Sequence, residues 1–275
     1  MIYPCLWFNQ NAGEAARHYT DLFPHGRIIH DSGLAVTFSI GGTRFMALNG
    51  GPKFTMNPAV SFFVYCGGEK ETDRLYEALC DGGKVIMPLK QYEWSSKYAW
   101  VEDRFGVSWQ LDIDPINNAQ TIVPTLLFCN EKSTLVKNAA ERYLRIFPDS
   151  HFLFGMESPQ SAALPSGSLL FAQFKLGGFI MNAMSSPEPQ HYDFSTANSF
   201  VIECDTQEEI DHYWNELGAG GRYDMCGWLA DRYGVAWQIV PRILPQLLSD
   251  PSRRERVINV FLQLQKFDLD KLINA

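Results

Sequence analysis

Two hydrophobic rhythms alternate along the chain. Short apolar runs with a two-residue period are separated by stretches in which apolar residues recur every three or four positions. Residues 4–8 form the first strand-like run, and Ala12, Ala15, Ala16, Tyr19, Leu22 and Phe23 then share one helical face. Asn11, with Glu14 three positions later, reads as an N-terminal capping pair, and Pro24 stops the helix. Strands follow over 35–40 and 43–48, joined at Gly41-Gly42, where two glycines free to adopt positive φ suit a tight hairpin. A second strand–helix unit is clearest at 198–204. There Asp205 and Glu208 have capping-box spacing, Ile210, Tyr213, Trp214 and Leu217 form the helical stripe, and Gly218, Gly220 and Gly221 end it.

This pattern occurs twice. Residues 103–111 read Asp-Arg-Phe-Gly-Val-Ser-Trp-Gln-Leu, and residues 231–239 read Asp-Arg-Tyr-Gly-Val-Ala-Trp-Gln-Ile. Other segments correspond in the same order, among them 4–8 with 124–128, Gly41-Gly42 with Gly177-Gly178, and Gly82-Gly83 with Gly220-Gly221. The chain is therefore two copies of one domain. Each copy reads strand–helix–strands twice over, which predicts an α+β fold in which two curved, mainly antiparallel half-sheets with outer helices enclose a cleft. In the repeated strand, Val107, Trp109 and Leu111 alternate with Ser108 and Gln110, as Val235, Trp237 and Ile239 alternate with Ala236 and Gln238. Successive side chains point to opposite faces, so the Trp face packs under helices and the Gln face looks into the cleft. The Asp-Arg pairs that precede the Gly turns read as hairpin and salt-bridge residues.

The copies differ in one place. Twenty positions separate Gly83 from Asp103, but ten separate Gly221 from Asp231, so copy one carries an extra aromatic segment with Tyr92, Trp94, Tyr98 and Trp100. This segment reads either as a cleft lining or as a longer hairpin. Copy two has its own insertion around 158–168, rich in Pro, Ser and Ala, which reads as a surface loop. A C-terminal helix is expected after Asp250-Pro251, with Val257, Val260, Phe261 and Leu264 as its packing stripe.

Composition narrows the function classes. With 46% hydrophobic and 20% charged residues, the 275-residue chain has a globular composition with room for two cores. A net charge of −8 argues against broad binding to nucleic acid or anionic membrane, and no apolar run approaches the roughly 20 residues of a membrane span. The start shows no basic region and no long apolar segment, so a cytoplasmic location with reduced thiols is expected. Cys5, Cys66, Cys80, Cys129, Cys204 and Cys226 form no C-x-x-C pair and read as small hydrophobes. Cys226 has no neighbouring His or Lys to activate it.

The run from Phe45 to Pro52, Cys226-Gly227-Trp228-Leu229-Ala230-Asp231, both Gly-Val-x-Trp-Gln strands and the tail from Leu247 to Asp270 resemble the PhnB-like family. That family is also labelled 3-demethylubiquinone 3-methyltransferase-like, and it sits within the vicinal-oxygen-chelate superfamily of glyoxalase, bleomycin-resistance and extradiol-dioxygenase-like proteins. The resemblance spans nearly the whole chain. It implies tandem domains at 1–117 and 121–243, each of paired βαβββ modules, and a C-terminal helix at 250–275. In metal-using members of the superfamily the first and fourth strands supply His or Gln, Glu, His and Glu. Here those positions fall near 4–6, 47–49, 60–61 and Gln110, and in copy two near 124–126, 182–185, 198–199 and Gln238. Neutral amides and hydroxyls are poor transition-metal ligands, and His18, His25, His30, His151, His191 and His212 fall in helices or loops. The expectation is no metal and no cofactor. Cys66-Gly67-Gly68-Glu69 lacks the glycine pattern of a dinucleotide or adenosylmethionine turn, so the methyltransferase label is read as a family name.

Candidate pocket-lining residues are Asn49, Trp94, Gln110, Asn182, Trp228 and Gln238. Against these stand turn chemistry for Asn49, backbone satisfaction for the two glutamines, and core packing for Trp109 and Trp237. The reading is a small-molecule-binding protein of unassigned activity, either a pseudo-twofold monomer or a homodimer. The alternatives are a divalent-metal lyase, isomerase or dioxygenase, and a non-catalytic interaction module.

Overall fold

The computed structural model describes residues 1–113, 119–158 and 164–275. The chain divides into two compact units, Pro4–Asn198 and Met1–Tyr3 with Ser199–Ala275. Each module runs strand–helix–three strands, the βαβββ order that the resemblance implies, where periodicity alone reads two strands after the first helix. The larger unit carries three. The first is β1 (Ile2–Phe8, from Pro4 on), α1 (Ala12–Leu22), β2 (Arg27–Asp31), β3 (Ala35–Ile40) and β4 (Thr43–Asn49). The second is β5 (Val60–Cys66), α2 (Glu69–Cys80), β6 (Lys84–Tyr92), β7 (Ser95–Glu102) and β8 (Ser108–Ile113). The third is β9 (Ile122–Phe128), a short 3-10 turn, α3 (Val136–Ile146), β10 (His151–Glu157), β11 (Leu169–Leu176) and β12 (Phe179–Ser185). The smaller unit carries β13 (Asn198–Cys204), α4 (Gln207–Gly218), β14 (Arg222–Tyr223), β15 (Trp228–Ala230) and β16 (Ala236–Pro241), then α5 (Leu244–Ser249), α6 (Arg254–Phe261) and α7 (Leu269–Ile273).

In every module the first strand lies parallel to the fourth, with Cys5 opposite Met46, Phe62 opposite Trp109, Thr125 opposite Asn182 and Val201 opposite Gln238. The pairing between modules differs from expectation. The two modules of one repeat were expected to face each other. Instead β5 of the first repeat pairs antiparallel with β9 of the second, Ser61 opposite Thr125 and Phe62 opposite Pro124. The result is one eight-stranded sheet, β10-β11-β12-β9-β5-β8-β7-β6, within the larger unit. The reason lies in the strands themselves. β9 is buried at every position and β5 at all but Tyr65. A strand apolar on both faces is disfavoured at an exposed edge, and joining β5 to β9 makes both central.

Helix ends show where local reading stops. Asn11 makes no side-chain cap; the first amide of α1, from Ala12, donates to Asn49 Oδ1 at 2.9 Å. In α4 the capping box sits one residue later than predicted. Glu209 N donates to Thr206 Oγ1 at 3.2 Å, and Glu209 Oε2 accepts from Asp205 N at 2.6 Å. The predicted long C-terminal helix is broken. α6 stops at Phe261, and the carbonyls of Leu264 and Gln265 instead accept from Cys226 N and Gly227 N at 2.7 and 2.8 Å. Asp268 then caps α7 through Lys271 N at 3.1 Å. The aromatic segment of copy one is a longer hairpin: β6 and β7 have nine and eight residues, against two and three in β14 and β15. Of the Pro/Ser-rich insertion in copy two, residues 159–163 lie outside the described residues.

The repeated Asp-Arg-x-Gly-Val-x-Trp motif is held by its aspartate. Asp103 is buried, and its Oδ1 accepts from Phe105 N and Val107 N at 2.8 and 3.0 Å. Its Oδ2 accepts from Tyr19 Oη and Trp109 Nε1 at 2.7 and 2.8 Å. Asp231 repeats the arrangement with Tyr233 N, Val235 N and Trp237 Nε1 at 2.9, 3.1 and 3.0 Å. Gly106 and Gly234 take φ of +85° and +92° in these turns. The salt-bridge reading of the Asp-Arg pairs is thus replaced. Arg104 lies over the Phe105 ring at 4.9 Å, and Arg232 donates to the Ala219 carbonyl at 3.2–3.3 Å. Burial pushes the Asp103 carboxyl above the ordinary aspartate value, against the pull of its four donors.

Two predictions follow from these packing facts. Asp103→Asn keeps an acceptor for the two turn amides but sets Nδ2–H against Trp109 Nε1–H; it should cost about 1–3 kcal/mol in urea unfolding, and Asp103→Ala more. At the β3–β4 hairpin, Gly42 has φ +72° and a Cβ there would stand 1.7 Å from the Ala119 carbonyl, while a Cβ on Gly178 meets nothing within 4 Å. Gly42→Ala should therefore destabilise by roughly 2 kcal/mol or more, and Gly178→Ala by less than about 0.5 kcal/mol, in the same assay.

Candidate functional site

The eight-stranded sheet has two dissimilar faces. Phe62, Val64, Leu75, Leu79, Ala99, Val101, Trp109 and Leu111 pack together in the core under α2, as the alternation in the repeated strand predicts for Trp109. Among the described residues, the opposite face carries no helix of its own modules. Register places Ser61, Phe63 and Tyr65 of β5 there, with Gln110 of β8, Tyr98 and Trp100 of β7, Thr125 and Leu127 of β9, Asn182 and Met184 of β12, and Gln173 of β11.

Four neutral polar side chains, Ser61, Gln110, Thr125 and Asn182, are buried on this face with no measurable exposure. Burying such groups costs free energy unless each is hydrogen-bonded. Tyr98 Oη donates to Gln110 Oε1 at 2.6 Å, and Gln110 Nε2 donates to Ser61 Oγ at 2.7 Å. Gln110 Nε2 also points at Met184 Sδ, 3.6 Å away. On the other side of the β5–β9 junction, Gln173 Nε2 donates to Tyr65 Oη and Asn182 Oδ1 at 2.9 and 3.0 Å. Asn182 Nδ2 donates to Thr125 Oγ1 at 3.2 Å. Around this floor Phe63, Tyr98, Trp100, Leu127 and Cys129 form a second apolar cluster, against which half-buried Tyr65, Met87, Tyr92, Met184 and Tyr192 pack. Burial holds the Tyr98 phenol far above its ordinary pKa and pushes Tyr192 up to about 12, so both stay protonated donors near neutral pH.

The predicted lining residues separate. Gln110 and Asn182 share this floor. Trp94 lies at the tip of the β6–β7 hairpin, 59% exposed, stacked on Tyr92 with centroids 5.0 Å apart and edge-on to Tyr98 at 5.9 Å. Asn49 serves the fold: besides capping α1, its Nδ2 donates to the Gly33 carbonyl at 2.8 Å. Gln238 and Trp228 lie opposite each other in the smaller unit, where Gln238 Nε2 donates to Ser199 Oγ at 3.0 Å and so repeats the Gln110–Ser61 bond. Sequence reasoning placed Ser61, Thr125 and Met184 only near ligand positions, left Tyr98 open between cleft lining and hairpin, and missed Gln173. Alternation in β7, β11 and β12 carried the signal, but which strands adjoin was needed to use it.

The floor does not suit a divalent transition ion. Its donors are two hydroxyls and two carboxamides, and Gln110 Oε1 and Asn182 Oδ1 are already engaged by Tyr98 and Gln173. Among the described residues, no three His, Cys, Asp or Glu side chains converge as a metal-binding group. The thiols are insulated too. Burial pushes Cys66, Cys129 and Cys204 to about 12 and raises Cys226, whose Sγ donates to the Phe261 carbonyl at 3.6 Å. At Gly67-Gly68 the turn into α2 is filled by the helix's own carboxylate, Glu71 Oε2 accepting from Gly67 N at 2.8 Å. Among the described residues no helix is long and apolar enough to cross a membrane.

The model of the family described as 3-demethylubiquinone-9 3-methyltransferase matches residues 1–112 and again 120–240. A PhnB protein from Bacillus cereus, described as a putative 3-demethylubiquinone-9 3-methyltransferase, is 33% identical over 41% of this chain and 98% of its own, with a TM-score of 0.38. Glyoxalase I from Zea mays is 10% identical over 88% of this chain and 92% of its own, with a TM-score of 0.59, a likeness of fold. A comparison with curated proteins returns no match. The modules share the fold of glyoxalase I, and the two family matches cover most of the chain: it belongs to the family described as 3-demethylubiquinone-9 3-methyltransferase, matched twice in tandem.

Proposed function

We propose that the helix-free face of the β5–β12 sheet binds a small, uncharged organic molecule and does so without a transition metal. The observation that carries this reading is the hydrogen-bonded floor of Ser61, Gln110, Thr125 and Asn182, at or near the positions that the family resemblance assigns to ligands in metal-using members. Such a floor fixes orientation through neutral hydrogen bonds, and the aromatic and thioether wall of Phe63, Tyr65, Tyr92, Met184 and Tyr192 supplies apolar contact. No charged side chain is among the floor bonds, which favours neutral ligands over strongly ionic ones. The methyl transfer named by the family is not part of this reading: Asp112, the carboxylate that register adds to this face beside Tyr98, accepts from Ser95 Oγ at the hairpin, and burial raises the Cys129 thiol to about 12.

One observation favours a second reading. The side chains of Phe63, Tyr98, Trp100 and Leu127 already fill much of this face, as they would in the core of a non-catalytic interaction module.

Both readings exclude a glyoxalase-type ion, and that is directly measurable. Protein purified without chelators should carry well under one equivalent of Zn, Ni, Mn, Co or Fe by elemental analysis. Each ion added in large excess should leave the melting temperature unchanged, whereas saturation to 100 times Kd at a native site would add about 2.7 kcal/mol. Stoichiometric metal, lost together with Gln110→Leu, would overturn the proposal. The same Gln110→Leu change should cost about 1–3 kcal/mol in metal-free buffer, because it strands the buried Tyr98 hydroxyl.

A further inference from the structure

The floor has a hydrogen-bonding polarity, and one of its partners is mismatched. Gln110 turns its carbonyl oxygen, Oε1, to the Tyr98 hydroxyl and one amide hydrogen to Ser61. The second hydrogen is aimed at Met184 Sδ at 3.6 Å. A thioether is a weak acceptor, and methionine is the most adaptable of apolar side chains. Met184 is half-buried, whereas Gln110 beneath it has no exposure. Asn182 shows the same sense: its Oδ1 is taken by Gln173, and its Nδ2 donates within the floor.

We propose that Met184 Sδ occupies the seat of a ligand's hydrogen-bond acceptor, that the site takes an aromatic carbonyl compound whose oxygen displaces the sulfur and accepts from Gln110 Nε2, and that Tyr98 is the positioning residue that holds Gln110 in this orientation. The inference rests on the proposed small-molecule site and adds the ligand class. The lock works through exchange of roles. A phenol that remains protonated donates to Oε1, so the amide must present N–H toward Met184. Without that donor the carboxamide can rotate and offer its oxygen instead, which removes the preference for acceptors. The aromatic part of the ligand lies against Phe63, Tyr92 and Tyr192, which belong to the same apolar cluster as Met184.

The test uses three probes built on one phenylethyl skeleton: acetophenone, ethylbenzene and 1-phenylethylammonium. Binding to the full chain is followed by the methyl resonances of its eight methionines, with Met184 assigned from Met184→Leu. Acetophenone should shift the Met184 methyl and bind about tenfold tighter than ethylbenzene, the worth of one added hydrogen bond, while the ammonium binds no better than ethylbenzene. In Tyr98→Phe the acetophenone-to-ethylbenzene ratio should fall toward one with ethylbenzene affinity retained, which a merely structural role for Tyr98 would not produce. Should Tyr98→Phe fail to fold, Met184→Leu decides: removal of the competing sulfur should raise the ratio severalfold, and an unchanged ratio overturns the inference. Equal binding of acetophenone and ethylbenzene to the native chain, or an unchanged ratio in folded Tyr98→Phe, overturns the acceptor seat and leaves the small-molecule site standing. If none of the probes moves the Met184 methyl at millimolar concentration, both fall together.

Discussion

The antiparallel junction of β5 and β9 is the contact on which the candidate site depends. It joins a module of the first repeat to a module of the second and sets Ser61 opposite Thr125. Gln110 and Asn182 then flank that pair through the parallel β5–β8 and β9–β12 ladders. Because side chains alternate strictly along a strand, a slip of one residue at this junction would send Ser61 to the opposite face from Thr125. The continuous burial of β9 and near-continuous burial of β5 penalise any arrangement that leaves either exposed at an edge.

A second device ties this register to the core. Asp103 binds the turn before β8 and the indole of Trp109 at once, so the strand's inward and outward faces are fixed by one buried carboxylate. Trp109 goes under the helices and Gln110, its neighbour, must face the other way. Asp231 does the same for Trp237 and Gln238. The repeated motif is thus a structural clamp that also sets the aim of a glutamine. The same physics separates the PhnB-like floor from a metal site. A carboxylate at Gln110 could serve an ion; the amide that stands there must find hydrogen-bond partners, and it finds them in Tyr98 and Ser61.

Much of this was legible from residues alone. Alternation over 107–111 identified the core tryptophan and the outward glutamine, and Gly41-Gly42, with φ of +50° and +72°, closes the hairpin that two glycines predict. What failed were features set by distant partners. The cap of α1 comes from Asn49, far along the chain, and no local pattern around Asn11 reveals it. Asp103 reads locally as a turn residue, because its Tyr19 partner lies in another element. The pairing of β5 with β9 was hidden for a simpler reason: a strand apolar on both faces carries no period to say which neighbour it takes. With that pairing unknown, Gln110 and Asn182 could be singled out, but Ser61, Thr125 and Tyr98 could not be assembled around them. The single long C-terminal helix failed because its predicted stripe ran on to Leu264, whose carbonyl is claimed by Cys226.

The central claim is that chain-distant Ser61, Gln110, Thr125 and Asn182 meet as a neutral, mutually satisfied floor that holds no ion. A crystal soaked in zinc or nickel, with anomalous data collected at the metal edge, tests this most directly. The account predicts no anomalous peak among these four side chains, with the Tyr98–Gln110–Ser61 bonds intact. A peak there, with Gln110 turned away from Tyr98 to ligate it, would contradict the account.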